Sequence, residues 1–515
     1  MNAKTLAAAA VAGLVALAGC AGTGGTVSFE GAAAPAASGG VMYDPNYDQA
    51  PDTSQEEYGD SPEQPFTSTA TSLLSTFSAD VDTASYSNMR RQLNDGIVPE
   101  ADSIRIEELV NYFDYGYPIP DANSDTPFTV TTKVSPAPWA EGHQLALIGV
   151  QAGKAQASGK GNNIVFLLDV SGSMADSNKL PLLIRSFSLL IDQLGEDDVV
   201  SIVTYAGAEE VVADSVRGSE HSRLKEALDA LNAGGSTAGA AGIQTAYELA
   251  AKNFIEGGNN RVILATDGDF NVGLSTTAQL TDLIERERDS GVYISVLGFG
   301  MGNLKDAMME SIADHGNGNY AYIDDLDEAK KVLVDEFDAT MLVVAQDLKL
   351  QVEFNPALVK EYRLIGYDNR RLEDEDFAND AKDAGDVGAG HSVTALYELV
   401  PADGAAADQL KYSDTTATGS DDFFTVSLRY KRPGQSTSTL VESVAGADAY
   451  ADAPDADFAF AAAVAEFGLL LSQSDYAEDA KLADAKALAS QNVGADRDGL
   501  RAELVALMDR YAELR

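Results

Sequence analysis

The residues of this sequence best suited to chemistry are acidic and hydroxyl side chains in three separate segments. DVSGSM contains Asp169, Ser171 and Ser173, GGSTAG contains Thr237, and ATDGDFNVG contains Asp267. None of these segments contains an imidazole or a thiol, so the available ligands are oxygen atoms. Such a set favours a hard divalent cation and argues against a metal that prefers soft ligands.

The chemistry expected of these oxygen ligands is binding rather than bond breaking. Mg²⁺ prefers an octahedral oxygen shell and keeps several of its waters. Two carboxylates nearly balance its charge, whereas hydroxyl groups are neutral and weak donors. The metal would therefore stay electrophilic, and a carboxylate from a partner could complete its shell.

Alternating strands and helices must position the three segments. From about residue 162, apolar runs such as NIVFLLDV and RVILATDG predict strands buried on both faces, with helical segments between them. Repeated units of this kind predict an α/β fold with a doubly wound, mostly parallel central sheet. Asp169 and Asp267 end two of these strands and Thr237 precedes a helix. All three segments should therefore meet at the carboxyl edge of the sheet, where such folds bind ligands.

This arrangement resembles the metal-ion-dependent adhesion site of the von Willebrand factor type A family, a Rossmann-like fold. The match covers about residues 160–340 and includes all five pattern positions. The resemblance implies a site for Mg²⁺ or Mn²⁺ with Ser171 and Ser173 as direct ligands. It also implies that Thr237, Asp169 and Asp267 bind directly or through water. In that family, ligand binding can be coupled to movement of the last helix, which is predicted here at 326–339.

Simpler roles exist for the same residues. Asp169, Ser171 and Ser173 could form an N-capping loop before the next helix. Thr237 could cap the helix that follows it, and Asp267 could belong to an Asp-Gly turn. The convergence of three loops on one sheet edge favours the metal site over these alternatives.

Regions on both sides of the α/β segment predict a second domain of helices and antiparallel strands. SLLSTFSADVDTASYSNMRRQLNDG predicts a helix, and SIRIEELVNYFDYGYP predicts another with Ser103 as its N-cap. Alternating patterns predict strands at 128–150 and within 346–444, which we expect to pair with each other. In the first helical segment, Asp80 and Asp82 could bind Ca²⁺, but two carboxylates are more typical of a turn or cap.

These flanks resemble a group of bacterial lipoproteins that carry a type A domain. The similar segments are FSADVDTASYSNMRRQLNDG and RIEELVNYF before the domain and EYRLIGYDNRRL, DAGDVGAGHSVTALYEL and LRYKRP after it. With them the resemblance spans nearly all of residues 73–515. It implies no biochemical role for the flanking domains.

The only cysteine of the chain lies at a position typical of lipid attachment. Lys4 precedes an apolar run that ends in Leu17-Ala-Gly-Cys20, which resembles a bacterial lipoprotein signal. The resemblance implies lipidation of Cys20, and Ala21 after it favours the outer membrane. The alternative is an ordinary signal peptide with a chance cysteine.

Composition and pattern together predict six regions. They are a signal peptide at 1–19, a flexible tether at 20–66, an N-terminal flank of helices then strands at 67–158, the type A domain at 159–340, a β-rich flank at 341–450 and a helical region at 451–515.

Charge and residue counts limit the possible functions. The chain has 35 Lys plus Arg against 81 Asp plus Glu, a formal charge of −46, which argues against a nucleic-acid or anionic-lipid surface. None of the four histidines falls in the three metal segments, and no nucleophile elbow, phosphate loop or zinc-protease helix occurs. We therefore expect a binding protein rather than an enzyme.

The sequence predicts a lipid-anchored protein of the bacterial cell envelope, attached to the membrane only by its lipid. It should bind a protein partner through Mg²⁺ (or Mn²⁺) and an acidic residue of that partner. The first alternative is an envelope scaffold or assembly factor with a mainly structural metal. An envelope hydrolase is less favoured, since no histidine lies in the three metal segments to act as a base for Ser171.

Overall fold

The structure is a computed structural model that describes residues 56–59, 62–121, 124–154, 159–236, 239–268, 277–402, 420–477 and 479–515. Two predicted functional residues, Cys20 and Thr237, lie outside these ranges, as do the predicted signal peptide and most of the predicted tether. Within the described ranges, no helix combines the length and apolar character needed to cross a membrane.

A six-stranded sheet with helices on both faces forms the α/β domain. Its strands are β5 (Asn162–Asp169), β6 (Val199–Tyr205), β7 (Glu209–Arg217), β8 (Asn259–Thr266), β9 (Tyr293–Phe299) and β10 (Tyr320–Ile323). Its helices are α3 (Leu180–Ile191), α4 (His221–Asp229), α5 (Gly239–Lys252), α6 (Thr277–Asp289), α7 (Asp306–His315), α8 (Leu326–Lys330) and α9 (Phe337–Met341).

The order of the strands puts β5 and β8 side by side in the middle of the sheet. The order is β10-β9-β8-β5-β6-β7, with every pair parallel except β6 and β7. Two apolar cores lie on opposite faces of the sheet, because alternate residues of the near-continuous apolar strands point to opposite sides. The predicted doubly wound, mostly parallel fold is confirmed.

The flanking regions supply the remaining strands and helices. The strands are β1 (Thr67–Ser68), β2 (Leu74–Ser78), β3 (Phe128–Pro136), β4 (Gln144–Ala152), β11 (Val343–Phe354), β12 (Val359–Ile365), β13 (Val387–Gly388), β14 (Ser392–Pro401), β15 (Phe424–Lys431) and β16 (Thr439–Ala445). The helices are α1 (Ala84–Asn94), α2 (Ile106–Asn111), α10 (Ala456–Leu471), α11 (Leu482–Gln491) and α12 (Leu500–Leu514).

Two antiparallel sheets combine strands from both sides of the α/β domain. One sheet has the order β1-β12-β14-β4-β3, and the other has β13-β11-β15-β16 with β2 paired to β11. Ala395 pairs with Ile148 in the register of β14 and β4, which confirms the predicted pairing of the two strand sets. Apolar residues of both sheets share one core, and the five flanking helices share another. The α/β domain is therefore inserted into a domain that its two neighbours build together.

The helix predicted over the first part of the N-terminal flank is wrong at its start. Residues Leu74–Ser78 form β2, which pairs with β11, and the helix begins only at Ala84. Pairing with a distant strand outweighs the local helical spacing, because it buries Phe77 completely. Ser103 is not the N-cap of α2, since its hydroxyl donates to the carbonyl oxygen of Glu100 in the preceding turn.

The predicted tether is too long at its C-terminal end. Within the described stretch 56–59, the N–H of Glu57 donates to the carbonyl oxygen of Leu304 at 2.8 Å, and the N–H of Asp306 donates to the carbonyl oxygen of Glu57 at 3.1 Å. The buried carboxylate of Glu56 accepts from Arg91 and from the N–H of Gly302. These residues are thus part of the folded protein, although their composition is that of a linker.

The last helix of the α/β domain is not continuous. The predicted helix at 326–339 divides into α8, a five-residue π-helical turn (Lys331–Asp335) and α9. Arg90 of α1, which is 2% exposed, contacts Asp324 and Glu328 at the start of this segment. The segment is therefore joined to the flanking domain by buried charges.

Candidate metal site

Asp169, the last residue of β5, lies at the centre of the candidate site. Its carboxylate is fully buried. Oδ1 accepts from the N–H of Ser171 at 2.9 Å, and Oδ2 accepts from the hydroxyl of Thr266 at 3.2 Å. Because β5 and β8 are adjacent and parallel, the end of β8 brings Thr266 to the same sheet edge. These bonds hold the carboxylate in one orientation.

The two serine hydroxyls lie next to each other in the turn after β5. Ser171 Oγ and Ser173 Oγ are 2.9 Å apart, with Ser171 buried and Ser173 exposed. Neighbouring ligands of an octahedral Mg²⁺ with bonds of 2.0–2.1 Å are separated by about 2.9 Å. The serine pair therefore fits two adjacent positions of such a shell. Helix α3 begins nine residues after Ser171 with Lys179 as its N-cap, so neither serine caps it.

The second loop is attached directly to the first. The N–H of Gly234 donates to the carbonyl oxygen of Val170 at 2.8 Å, and the N–H of Gly172 donates to that of Gly235 at 3.2 Å. Gly235 has a positive φ of 86°, and a Cβ there would lie 3.2 Å from the backbone nitrogen of Gly207. Thr237, two residues further on, is outside the described ranges, so its predicted ligand role stays a prediction.

Asp267 completes the set of predicted residues that the structure describes. It directly follows β8 and is fully buried. Its Oδ2 accepts from the Lys179 ammonium at 2.9 Å, and the same ammonium donates to Asn303 Oδ1 at 3.1 Å. The next residue, Gly268, has a φ of 101° and lies so close to Asn303 that a Cβ would come within 2.6 Å of its carbonyl oxygen.

Sequence patterns did not reveal three polar residues of this site, namely Thr266, Lys179 and Asn303. Thr266 had a usable signal, because it precedes Asp267 at the end of a buried strand. Lys179 and Asn303 had none, since they lie 88 and 36 residues from Asp267 in the sequence. Only the fold brings them to it.

Burial dominates the electrostatics of Asp169. It raises the pKa of this carboxyl to about 6, while hydrogen bonds from Ser171 lower the pKa and the nearby charge of Asp267 raises it. A carboxylate that loses hydration in this way gains from a divalent cation. The donor set therefore fits a hard metal that Asp169, Ser171 and Ser173 would hold, with Asp267 beside it.

A separate acidic cluster lies between the α/β domain and its flank. Oxygen atoms of the buried residues Asp80, Glu108 and Glu310 lie within 4.8 Å of one another. Arg370 contacts Asp80 at 3.1 Å and Glu310 at 2.8 Å, and Arg105 contacts Glu108 and Glu310. The two guanidinium groups explain how carboxylates come together here.

Comparison with known families matches three consecutive parts of the chain. Residues 52–147 match the family described as "von Willebrand factor", residues 163–335 match "von Willebrand factor type A domain", and residues 339–514 match "Uncharacterized protein YfbK, C-terminal". Over 458 residues the chain is 43% identical to the protein YfbK of Escherichia coli (strain K12), covering 87% of this chain and 79% of that protein. The chain belongs to the YfbK family.

More distant matches of this YfbK-family chain include a further curated protein and solved structures. A Synechocystis protein, sll0103, is 27% identical over 194 residues, which covers 38% of this chain and 45% of that one. A solved von Willebrand factor type A structure from Catenulispora acidiphila is 17% identical with a TM-score of 0.41, covering 74% and 90% of the two chains. The ArnB paralog VWA2 from Sulfolobus acidocaldarius has 17% identity, a TM-score of 0.37 and coverages of 76% and 98%.

Domains of the type A family often bind a divalent metal and generally mediate protein interactions. The YfbK-family chain has this domain between an N-terminal and a C-terminal flank.

Proposed function

We propose that this YfbK-family protein binds a protein partner through a divalent metal, Mg²⁺ or Mn²⁺, at the site formed by Asp169, Ser171, Ser173 and Asp267. The observation that carries the proposal is the meeting of two buried carboxylates and two adjacent hydroxyls at the carboxyl edge of the sheet. Bound there, the metal would offer an electrophilic position to a carboxylate of the partner. Thr237 is part of this proposal as a further ligand.

The exposure of Ser173 supports a partner that reaches the metal from outside. Ser173 and the following Asp176 are exposed, whereas Asp169 and Ser171 are buried. The metal would thus be held from within and would be open on one side. An incoming acidic side chain is the partner chemistry that such a site selects, because a hard cation prefers charged oxygen ligands.

Site-specific crosslinking in cells tests this proposal. With a photocrosslinking residue at the exposed position 176, we expect discrete protein adducts that fall at least tenfold in yield with EDTA or with Asp169→Ala. Added Mg²⁺ should restore them in the wild type but not in Asp169→Ala. Adducts from the same probe at the exposed position 223, on α4, should not depend on metal. Adducts at position 176 that persist in EDTA would contradict metal-dependent binding and favour the scaffold with a mainly structural metal.

We also propose that Cys20 anchors the protein to the bacterial envelope, in the outer membrane. The support is the sequence alone: the only cysteine follows a short apolar run and directly ends a lipoprotein-like signal. We expect Cys20→Ser to abolish labelling by a radioactive fatty acid and to release the protein from the membrane pellet. Ala21→Ser is the matched control and should leave labelling intact. Fatty-acid labelling of Cys20→Ser would contradict the anchor.

Catalysis is not part of the proposed function. A serine hydrolase needs a base within hydrogen-bond reach of the nucleophile. Among the described residues, the Ser171 hydroxyl lies 2.9 Å from that of Ser173, and His221, a candidate base, bonds instead to the carbonyl oxygen of Leu194. Ester or peptide hydrolysis by the purified protein that Ser171→Ala removes would overturn this assignment.

A further inference from the structure

Lys179 places a buried ammonium group inside the candidate metal site. The residue is 4% exposed, and its Nζ lies 2.9 Å from Asp267 Oδ2 and 3.1 Å from Asn303 Oδ1. Asp267 is fully buried, so this ion pair is shielded from solvent on both sides. A cation of the protein itself thus neutralises one of the two carboxylates on which the metal depends.

The backbone is shaped to admit this side chain. Gly300, after β9, has a φ of 74°, and a Cβ at that position would overlap the aliphatic stem of Lys179. The loop that begins there continues to Asn303, whose side chain accepts from the ammonium. Lys179 itself starts helix α3, where its carbonyl oxygen accepts from the N–H of Leu183. A helix start, a glycine and an amide therefore hold the ammonium beside Asp267.

We propose that Lys179 is a resident counter-ion that competes with the divalent metal for Asp267 and so keeps the metal affinity of the free protein low. The inference rests on the proposed function. With the ammonium in place, Asp169, Asp267 and Lys179 carry a net charge of −1 instead of −2. Unit charges a few ångströms apart in a partly buried site interact strongly enough to change affinity tenfold or more.

This counter-ion has a consequence for the partner. A metal that shares Asp267 with an ammonium lacks part of its charge balance, and a carboxylate of the partner supplies the missing charge. Metal and acidic partner should therefore bind cooperatively, each raising the affinity of the other by the same factor. The free protein would hold little metal, and the complex would hold it firmly.

Metal titration of the full chain tests the role of Lys179. We expect Lys179→Met to bind Mn²⁺ about tenfold or more tightly than the wild type, measured by calorimetry and by the loss of the free Mn²⁺ EPR signal. The matched control is Lys252→Met, which removes an exposed lysine paired with Asp214 on the same domain and should leave Mn²⁺ affinity unchanged. The double variant Lys179→Met/Asp267→Asn should lose the gain.

The outcomes separate the counter-ion from the metal site itself. Unchanged or weaker Mn²⁺ binding by Lys179→Met, beside a wild type that binds, would overturn the counter-ion and leave metal-dependent partner binding standing. Failure of both proteins to bind Mn²⁺ would overturn both proposals. If Lys179→Met does not fold, judged by its thermal transition in EDTA, Lys179→Gln replaces it, because its amide keeps a donor for Asp267 without the charge.

Discussion

Replacing Arg90 with methionine is expected to lower the free energy of unfolding by about 3–5 kcal/mol. Arg90 is 2% exposed and donates to Asp324 from Nε at 2.8 Å, to Glu328 from Nη2 at 2.8 Å and to the Tyr112 hydroxyl from Nη1 at 2.9 Å. The methionine would fill most of the volume but leave two buried carboxylates without their cation. Breaking a buried ion pair costs more than the pair contributed, because the remaining charge has lost its hydration.

The position of Arg90 makes the effect large. It belongs to α1 of the flanking domain, whereas Asp324 and Glu328 belong to the start of the last helical segment of the α/β domain. The Tyr112 hydroxyl also donates to Glu328 at 2.6 Å, so one network joins the two domains. Burial already raises the pKa of Asp324 to about 7 although Arg90 lowers it, and without Arg90 the pKa of this carboxyl would rise further.

Urea unfolding followed by circular dichroism measures this loss. Arg223→Met is the matched control, because Arg223 is exposed and pairs with Glu220 only at the surface, and it should cost less than about 1 kcal/mol. Adding Glu328→Gln to Arg90→Met should restore part of the stability by removing one unpaired charge. A cost below 1 kcal/mol for Arg90→Met would show that the two carboxylates do not depend on this guanidinium.

Stability is expected to rise as the pH falls from 8 to 5.5, by on the order of 5–8 kcal/mol. Burial raises the pKa of four carboxyls to about 7 in each case, namely those of Glu310, Asp324, Asp368 and Asp386. A carboxyl whose pKa is higher in the folded state binds its proton more tightly there. Its contribution to stability is therefore fully present below its unfolded pKa near 4 and is lost as the pH rises through 7.

One histidine opposes this trend. Burial lowers the pKa of His391, so its imidazole stays neutral in the folded state. The folded state therefore loses stability as the pH falls below the ordinary pKa of histidine. The four carboxyls with raised pKa outweigh the one imidazole with lowered pKa, so stability still rises as the pH falls. Urea unfolding at fixed ionic strength between pH 5.5 and 8 measures it.

Asp386→Asn tests the assignment of this pH dependence. Burial is the largest cause of the raised pKa of Asp386, and the charges of Asp347 and Asp383 add to it. The amide has nearly the same shape and no charge, so the variant should be more stable than the wild type at pH 8. Its pH slope should be flatter by about 2 kcal/mol over the range. An unchanged slope would show that other groups carry the effect.

Local sequence patterns were sufficient for the α/β domain and for the position of Asp169 and Asp267 at its strand ends. Strands are buried on both faces where helices cover both sides of a sheet, and such strands are continuous apolar runs, like the one ending at Asp169. The apolar runs themselves therefore indicate the strands. Strand ends of a parallel sheet share one edge, so Asp169 and Asp267 were expected to meet, and both now lie there, buried. The helical region predicted at 451–515 was equally evident, because the segment that forms α10 is apolar nearly all round.

Long-range contacts decided the features that the patterns missed. Residues 74–78 have helical spacing but form β2, because β11, more than 250 residues away, offers them a partner. The residues around Glu56 have the composition of a linker. Nevertheless, the Arg91 side chain and the N–H of Gly302 donate hydrogen bonds to the Glu56 carboxylate. The last helix breaks within 331–336, where it packs on the flanking domain.

The candidate metal site shows the same division at the level of single residues. Sequence by itself determined which carboxyl and hydroxyl side chains follow which strands, because this depends on local periodicity and chain order. Only the tertiary structure decided that Lys179 reaches Asp267, since this depends on the start of α3, the left-handed backbone at Gly300 and the amide of Asn303. Charges neutralise each other through space over a few ångströms. The spacing of Lys179 and Asp267 along the chain therefore does not predict their contact.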